Sequence, residues 1–153
     1  MSIRKQYIET LRELEKVSPI NFYDNKQLTD LSRLTKIKNK FNTCDSWNLF
    51  IPNNNKPYSI LNTDDSSSQG THWVSVYQRG KTLYVYDSFG RSDNLMKPFV
   101  DKFERLGYNV KFINKNGAEQ NGEQLNCGLR CLLFNCFVNK YGITKCKNIW
   151  SYW

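Results

Sequence analysis

One histidine, His72, serves a chain of 153 residues, and none of the five cysteines (Cys44, Cys127, Cys131, Cys136 and Cys146) forms a CxxC pair with another. The missing pair excludes a zinc ribbon, and a single histidine excludes most zinc-enzyme ligand sets. No metal and no cofactor is expected, and any histidine chemistry has to use His72. The cysteine count is odd, and three of the five share one apolar stretch. That opposes a disulfide framework and favours reduced thiols. No apolar run approaches the ~18 residues of a membrane span. The opening segment Met1-Ser2-Ile3-Arg4-Lys5-Gln6-Tyr7 lacks the apolar centre of a signal peptide. A soluble, intracellular protein with no membrane partner is the expectation.

What is present suits one folded unit. Hydrophobic residues make up 39% and charged residues 24%, which describes neither a disordered chain nor a fibre. A single domain over residues 1–153, acting as a monomer, would bury roughly two-thirds of its unfolded surface. The net charge is +8, with the excess on both ends of the chain and a slight acidic balance over 61–94. Short basic runs occur at Lys36, Lys38 and Lys40 and at Lys140, Lys145 and Lys147. Such a surface keeps a protein in solution, and it also attracts nucleic acid weakly and without sequence preference.

Periodicity orders the elements. Ile3, Tyr7, Leu11 and Leu14 predict an amphipathic helix over 2–16, ended by Ser18-Pro19. Leu28, Leu31, Leu34 and Ile37 predict a second helix at about 27–38. Trp47 to Ile51 is a short apolar run stopped by Pro52, and Tyr58 to Leu61 reads as another short strand. Asp64 to Gly70 is a polar loop, the segment expected to move most. His72 to Tyr77 and Thr82 to Asp87 form a hairpin around an Arg79-Gly80 turn. Ser92 or Asp93 can cap a helix running to about Leu106, with Gly107 as its stop. Val110 to Ile113 is a strand, and Lys115 to Asn126 a loop. Cys127 to Tyr141 is apolar on nearly every side and stops at Gly142, so it belongs in the middle of the protein. The expected fold class is α+β, with an antiparallel or mixed central sheet packed against this buried helix.

The hairpin register brings out the chemistry. With Arg79-Gly80 as a two-residue turn, His72 faces Asp87 at the open end, on the face that carries Val74, Val76, Leu83 and Val85. The buried helix would cover that face, with Cys127 at its start over the pair. A helix N-terminus and an adjacent imidazolium both lower a cysteine pKa, and the imidazolium can later protonate a leaving amine. Asp87 would hold the imidazole in one tautomer. The Cys127 N–H, followed by Gly128, can point at a developing oxyanion, and Gln120 or Gln124 could supply a second donor. Cys131 and Cys136 read as small core residues.

At these residues the chain resembles the adenovirus-type maturation cysteine proteases. The shared segments are Ile60-Leu61-Asn62-Thr63, Gly70-Thr71-His72-Trp73, Tyr84-Val85-Tyr86-Asp87-Ser88-Phe89-Gly90 with Ser92-Asp93, and Gln120 seven residues before Cys127-Gly128-Leu129-Arg130-Cys131. The resemblance covers roughly 58–138. The order His, acid, Gln, Cys also defines the wider clan with the SUMO-deconjugating proteases. The family implies an endopeptidase that cleaves capsid and core precursors after small, glycine-containing motifs, in the virion and the infected host cell. It implies Cys127 as nucleophile, His72 as general base and acid, Asp87 as orienting acid, Gln120 as oxyanion donor and Trp73 as a wall of the site. Asp87 stands where the adenovirus enzymes more often carry Glu. The activating peptide of the adenovirus enzyme is held by a disulfide whose cysteine has no counterpart near Asn109, so this chemistry of activation is not expected here; DNA is that enzyme's second activator. Little chain follows the buried helix, a short form that resembles those of virophages. Two other functions fit less well. A deconjugase of ubiquitin-like modifiers needs a broad surface for a folded substrate. A basic nucleic-acid-binding module would have no use for an intact Cys127, His72, Asp87 and Gln120.

Overall fold

The computed structural model describes residues 2–17, 23–63, 72–88, 96–113 and 127–150. Five strands form one sheet in the order β1-β2-β3-β4-β5. They are β1 (Phe41–Ser46), β2 (Tyr58–Asn62), β3 (Trp73–Arg79), β4 (Thr82–Tyr86) and β5 (Asn109–Phe112). The two inner pairings, β2–β3 and β3–β4, are antiparallel, and the two outer pairings are parallel. The fold is thus α+β with a mixed sheet.

The helices are α1 (Ile3–Val17), α2 (Asn25–Arg33), α3 (Lys97–Arg105), α4 (Cys127–Tyr141) and α5 (Ile143–Trp150). In α2, Asp24 and Gln27 form a reciprocal capping box, with bonds of 2.7 and 2.9 Å. This helix ends earlier than the leucine spacing predicts. A strict period of three drifts around a helix of 3.6 residues per turn, so the four apolar residues cannot share one face. The chain instead turns after Arg33, burying Ile37 and leaving Leu34 83% exposed.

Strand β1 carries no alternation in its sequence because its ladder is irregular. A register shift between Phe41 and Thr43 lets Phe41 and Cys44, three apart, both point into the core. The apolar run after it is no strand: Trp47–Leu49 is a 3-10 turn, with Phe50 buried and Ile51 exposed.

The β3–β4 register differs from the expected one by two residues. Arg79 pairs with Thr82 and Ser75 with Tyr86, so the turn is Gly80-Lys81. Gly80 has φ +59° while Lys81 keeps a negative φ, so only the first central position of the turn needs left-handed backbone, and glycine occupies it. A shift of two preserves the faces of the strands. Continuing the ladder sets Asp87 beside Val74 and makes His72 its diagonal neighbour.

The assignment of helices to sheet faces is also corrected. The face of Leu61, Val74, Val76, Leu83 and Val85 is covered by α3, through Met96, Phe99 and Phe103. The buried helix α4 lies on the opposite face, where Tyr86 stacks on Phe134 at 4.8 Å. The reason lies in how much of each helix is apolar. Helix α3 has one stripe, Phe99 and Phe103, and suits a flat branched face at the edge of the domain. Helix α4 is apolar all round and fits only where α1, α2 and α5 enclose its remaining sides. Tyr7 of α1 meets Phe137 edge-on at 5.5 Å, and the Tyr141 hydroxyl donates to Gln6. Gly142 (φ +85°) ends α4, and α5, which periodicity does not reveal, closes the core with Ile143 and Cys146.

Candidate active site

His72 immediately precedes β3, and Asp87 immediately follows β4. Lying just outside the ladder, both are released from strict alternation and can turn toward each other and toward the α4 side. His72 Nε2 lies 2.5 Å from Asp87 Oδ1. The carboxylate is fully buried, and His72 is only 6% exposed. An unpaired carboxylate in such a place would be costly, so the pair is mutually required.

Cys127 is the first residue of α4, and the His72 imidazole lies close enough to its thiol to favour the thiolate. With Nε2 turned to Asp87, Nδ1 is the ring nitrogen that remains to exchange a proton with sulfur. The backbone N–H groups of Trp73 and Gly128 act on the sulfur in the same direction. Burial opposes ionisation of Cys127, but the His72 hydrogen bond and charge and these two N–H groups outweigh it and lower the thiol pKa. Burial likewise opposes charging of His72, yet the hydrogen bonds and charges of Asp87 and Cys127 raise its pKa to about 9. Both shifts favour a thiolate–imidazolium pair at neutral pH.

The other four cysteines behave oppositely. Burial pushes Cys131 well above the ordinary thiol value, raises Cys44 and Cys136, and raises Cys146 to about 12. All five thiols are unbridged. Cys127 is the one cysteine whose surroundings favour the reactive form.

The helix start is held from two sides. The Trp73 indole donates to the Tyr23 carbonyl at 2.9 Å. A Cβ on Gly128 would lie 3.0 Å from Leu28 and 3.4 Å from the Trp73 ring, so glycine is what lets α4 approach α2 and β3 this closely. Ser75 of β3 donates to the Cys131 carbonyl at 2.8 Å.

The structure thus brings Cys127, His72, Asp87 and Trp73 together. Gln120 and Gln124 lie outside the described residues, as do the polar loop Asp64 to Gly70 and the expected cap residues Ser92 and Asp93. The Trp73 N–H and the Ser75 hydroxyl were not foreseen as parts of the site. A backbone donor leaves no mark on residue type, and Ser75 showed only as a small polar residue on an aromatic face. Among the described residues no group of His, Cys, Asp or Glu could hold a metal ion. Nor is any described helix long and apolar enough to cross a membrane.

A thiol at a helix start, beside an imidazole held by a carboxylate at the rim of a mixed sheet, is the arrangement of the cysteine peptidases. Residues 44–151 match the model of the adenovirus endoprotease family. The chain belongs to that family, and it is a viral cysteine peptidase, a hydrolase. The matched span runs from β1 through α5 and includes Cys127, His72, Asp87 and Gln120; α1 and α2 lie before it.

Proposed function

We propose that the protein is an endopeptidase that cleaves capsid and core precursors during virion maturation. In this reading the Cys127 thiolate attacks the scissile carbonyl, and the Cys127 N–H and the Gln120 side-chain amide hold the resulting oxyanion. The His72 imidazolium gives its proton to the leaving amine, leaving a thioester and a neutral imidazole. That imidazole takes a proton from water, the hydroxide attacks the thioester, and Cys127 is released as thiolate. Asp87 keeps the ring oriented and its charged form stable throughout. The observation that carries the reading is the Cys127 thiol at a helix start, beside the imidazole that Asp87 holds.

The reading extends to the setting. The enzyme acts as one domain and as a monomer, inside the particle and the infected cell, on small glycine-containing motifs. Any activating peptide binds without a disulfide at Asn109. The +8 net charge retains the enzyme weakly on packaged nucleic acid, close to its substrates. Incubating wild type and Cys127→Ala with capsid precursors and with modifier–peptide fusions is the decisive experiment. Cleavage of precursors alone, lost in Cys127→Ala, is expected; cleavage of the fusions alone would assign a deconjugase instead. Fluorescence anisotropy with unrelated duplexes should show binding that fades steeply with salt, and no binding at low salt would leave a freely diffusing protease.

A further inference from the structure

Ser75 sits within β3, fully buried, three residues beyond His72. Its hydroxyl donates to the carbonyl of Cys131, one helical turn beyond Cys127. In a regular helix that carbonyl already receives the N–H of residue 135, so it has no need of a second donor. An alanine would serve the apolar packing of this face as well, and without the cost of burying a hydroxyl. The bond therefore does something other than satisfy the helix: it joins α4 to β3 just behind the reactive thiol.

The connections close a small ring. From His72 the extended strand leads to Ser75, and the hydrogen bond crosses to Cys131. One turn of α4 then leads back to Cys127, whose thiol lies beside His72. Trp73, between the two strand positions, brings its own N–H near the sulfur. Apolar packing between helix and sheet is non-directional and resists sliding only softly. A hydrogen bond tolerates only a few tenths of an ångström.

We propose that Ser75 is a positioning residue, whose hydroxyl sets the height of α4 along β3 and so holds the Cys127 sulfur against the His72 ring and the Trp73 N–H. This rests on the reading of Cys127 as nucleophile. The groups that act on the sulfur are His72 just before β3, Trp73 of β3, Gly128 and Cys131 of α4, and Asp87 through the imidazole.

Ser75→Ala tests it on the full chain. The variant should fold, because the Cys131 carbonyl keeps its helical partner, and the buried Cys131 thiol, which also meets the Ser75 side chain, is only a weak hydrogen-bonding group. The first readout is the rate at which iodoacetamide modifies Cys127 across pH, followed by mass spectrometry. The second is kcat and KM on a glycine-containing fluorogenic peptide. The modification curve should move to higher pH, with kcat falling about tenfold and KM nearly unchanged, less than the ~10²-fold cost of a full ångström of misplacement. Ser75→Cys keeps the shape with a weaker donor and should fall between the two. Leu83→Ala, in the apolar cluster under α3, should destabilise the protein more and leave the curve in place. A Ser75→Ala curve that superposes on wild type, or an equal shift in Leu83→Ala, overturns the proposal. Cys127→Ala run in parallel separates the two ideas: if it retains activity the nucleophile assignment itself fails, whereas an inactive Cys127→Ala with an unshifted Ser75→Ala removes the latch alone.

Discussion

The two faces of the central sheet are both buried, yet they are held in different ways. Under α3 the contacts are almost wholly apolar: Leu61, Val74, Val76, Leu83 and Val85 against Met96, Phe99 and Phe103. Under α4 the apolar contacts are joined by directional ones, from the Ser75 hydroxyl to the Cys131 carbonyl and from the Trp73 indole to the Tyr23 carbonyl, and the Trp73 N–H approaches the Cys127 sulfur. Apolar burial supplies stability without fixing an atom to a fraction of an ångström. Proton transfer between sulfur and imidazole needs that accuracy. The face that carries the candidate chemistry is the one with the directional bonds, and the α3 face acts as ballast.

The sharpest way to break this contrast is at Asp87. Asp87→Asn removes the charge that holds His72 while keeping the shape, and kcat should fall roughly 10²- to 10⁴-fold. Steady-state kinetics with circular dichroism as the folding control would check it, and a near-wild-type rate would move the third role elsewhere. Gln120→Ala should cost about 10²- to 10³-fold in kcat with little change in KM, since the bond forms mainly in the transition state. Gln124→Ala should be mild by comparison, and the opposite ranking would exchange the two.

A smaller effect concerns pH. The lowered Cys127 pKa means that the thiolate forms as pH rises through a value below the ordinary thiol range. The raised His72 pKa means that the imidazolium persists until pH passes about 9. The pair proposed to perform acylation exists between these limits, so the alkaline limb of kcat/KM should fall near pH 9. In Asp87→Asn that limb should move toward neutrality, because a cause of the raised pKa is gone. Over the same range iodoacetamide should modify Cys127 well ahead of Cys44, Cys131 and Cys146, and faster labelling of any of these under native conditions counts against the site. The smallest effect on chemistry belongs to the other face. Leu83→Ala should lose about 2–5 kcal/mol of stability, read by urea unfolding, while the folded fraction keeps its kcat. A large drop in kcat there would erase the distinction between the faces.

Much of the fold is legible along the chain where a pattern is local. Helix α1 follows from Ile3, Tyr7, Leu11 and Leu14, the end of α4 from Gly142, and β2 to β4 from short β-rich runs. The candidate site was legible for a different reason: with one histidine and one cysteine at a helix start, few other combinations exist. Strand β1 escaped because its register shift breaks the alternation that marks a strand. The hairpin turn lies one residue later than the sequence suggests, yet His72 and Asp87 still meet, because they stand at adjoining ends of β3 and β4, just outside the alternation of the ladder.

By itself, then, the order of residues determined the types of α1 to α4 and of β2 to β5, the pairing of a lone histidine with an acid and a helix-start thiol, and the resemblance to a peptidase family. Tertiary structure alone decided that α4 lies on the tyrosine face and α3 on the valine face, that Gly128 must clear Leu28, and that Trp73 and Ser75 reach the thiol-bearing helix. Periodicity records which side of an element is apolar but not which partner will cover it. That choice depends on how many sides each helix must bury at once, and on backbone groups that every residue carries alike.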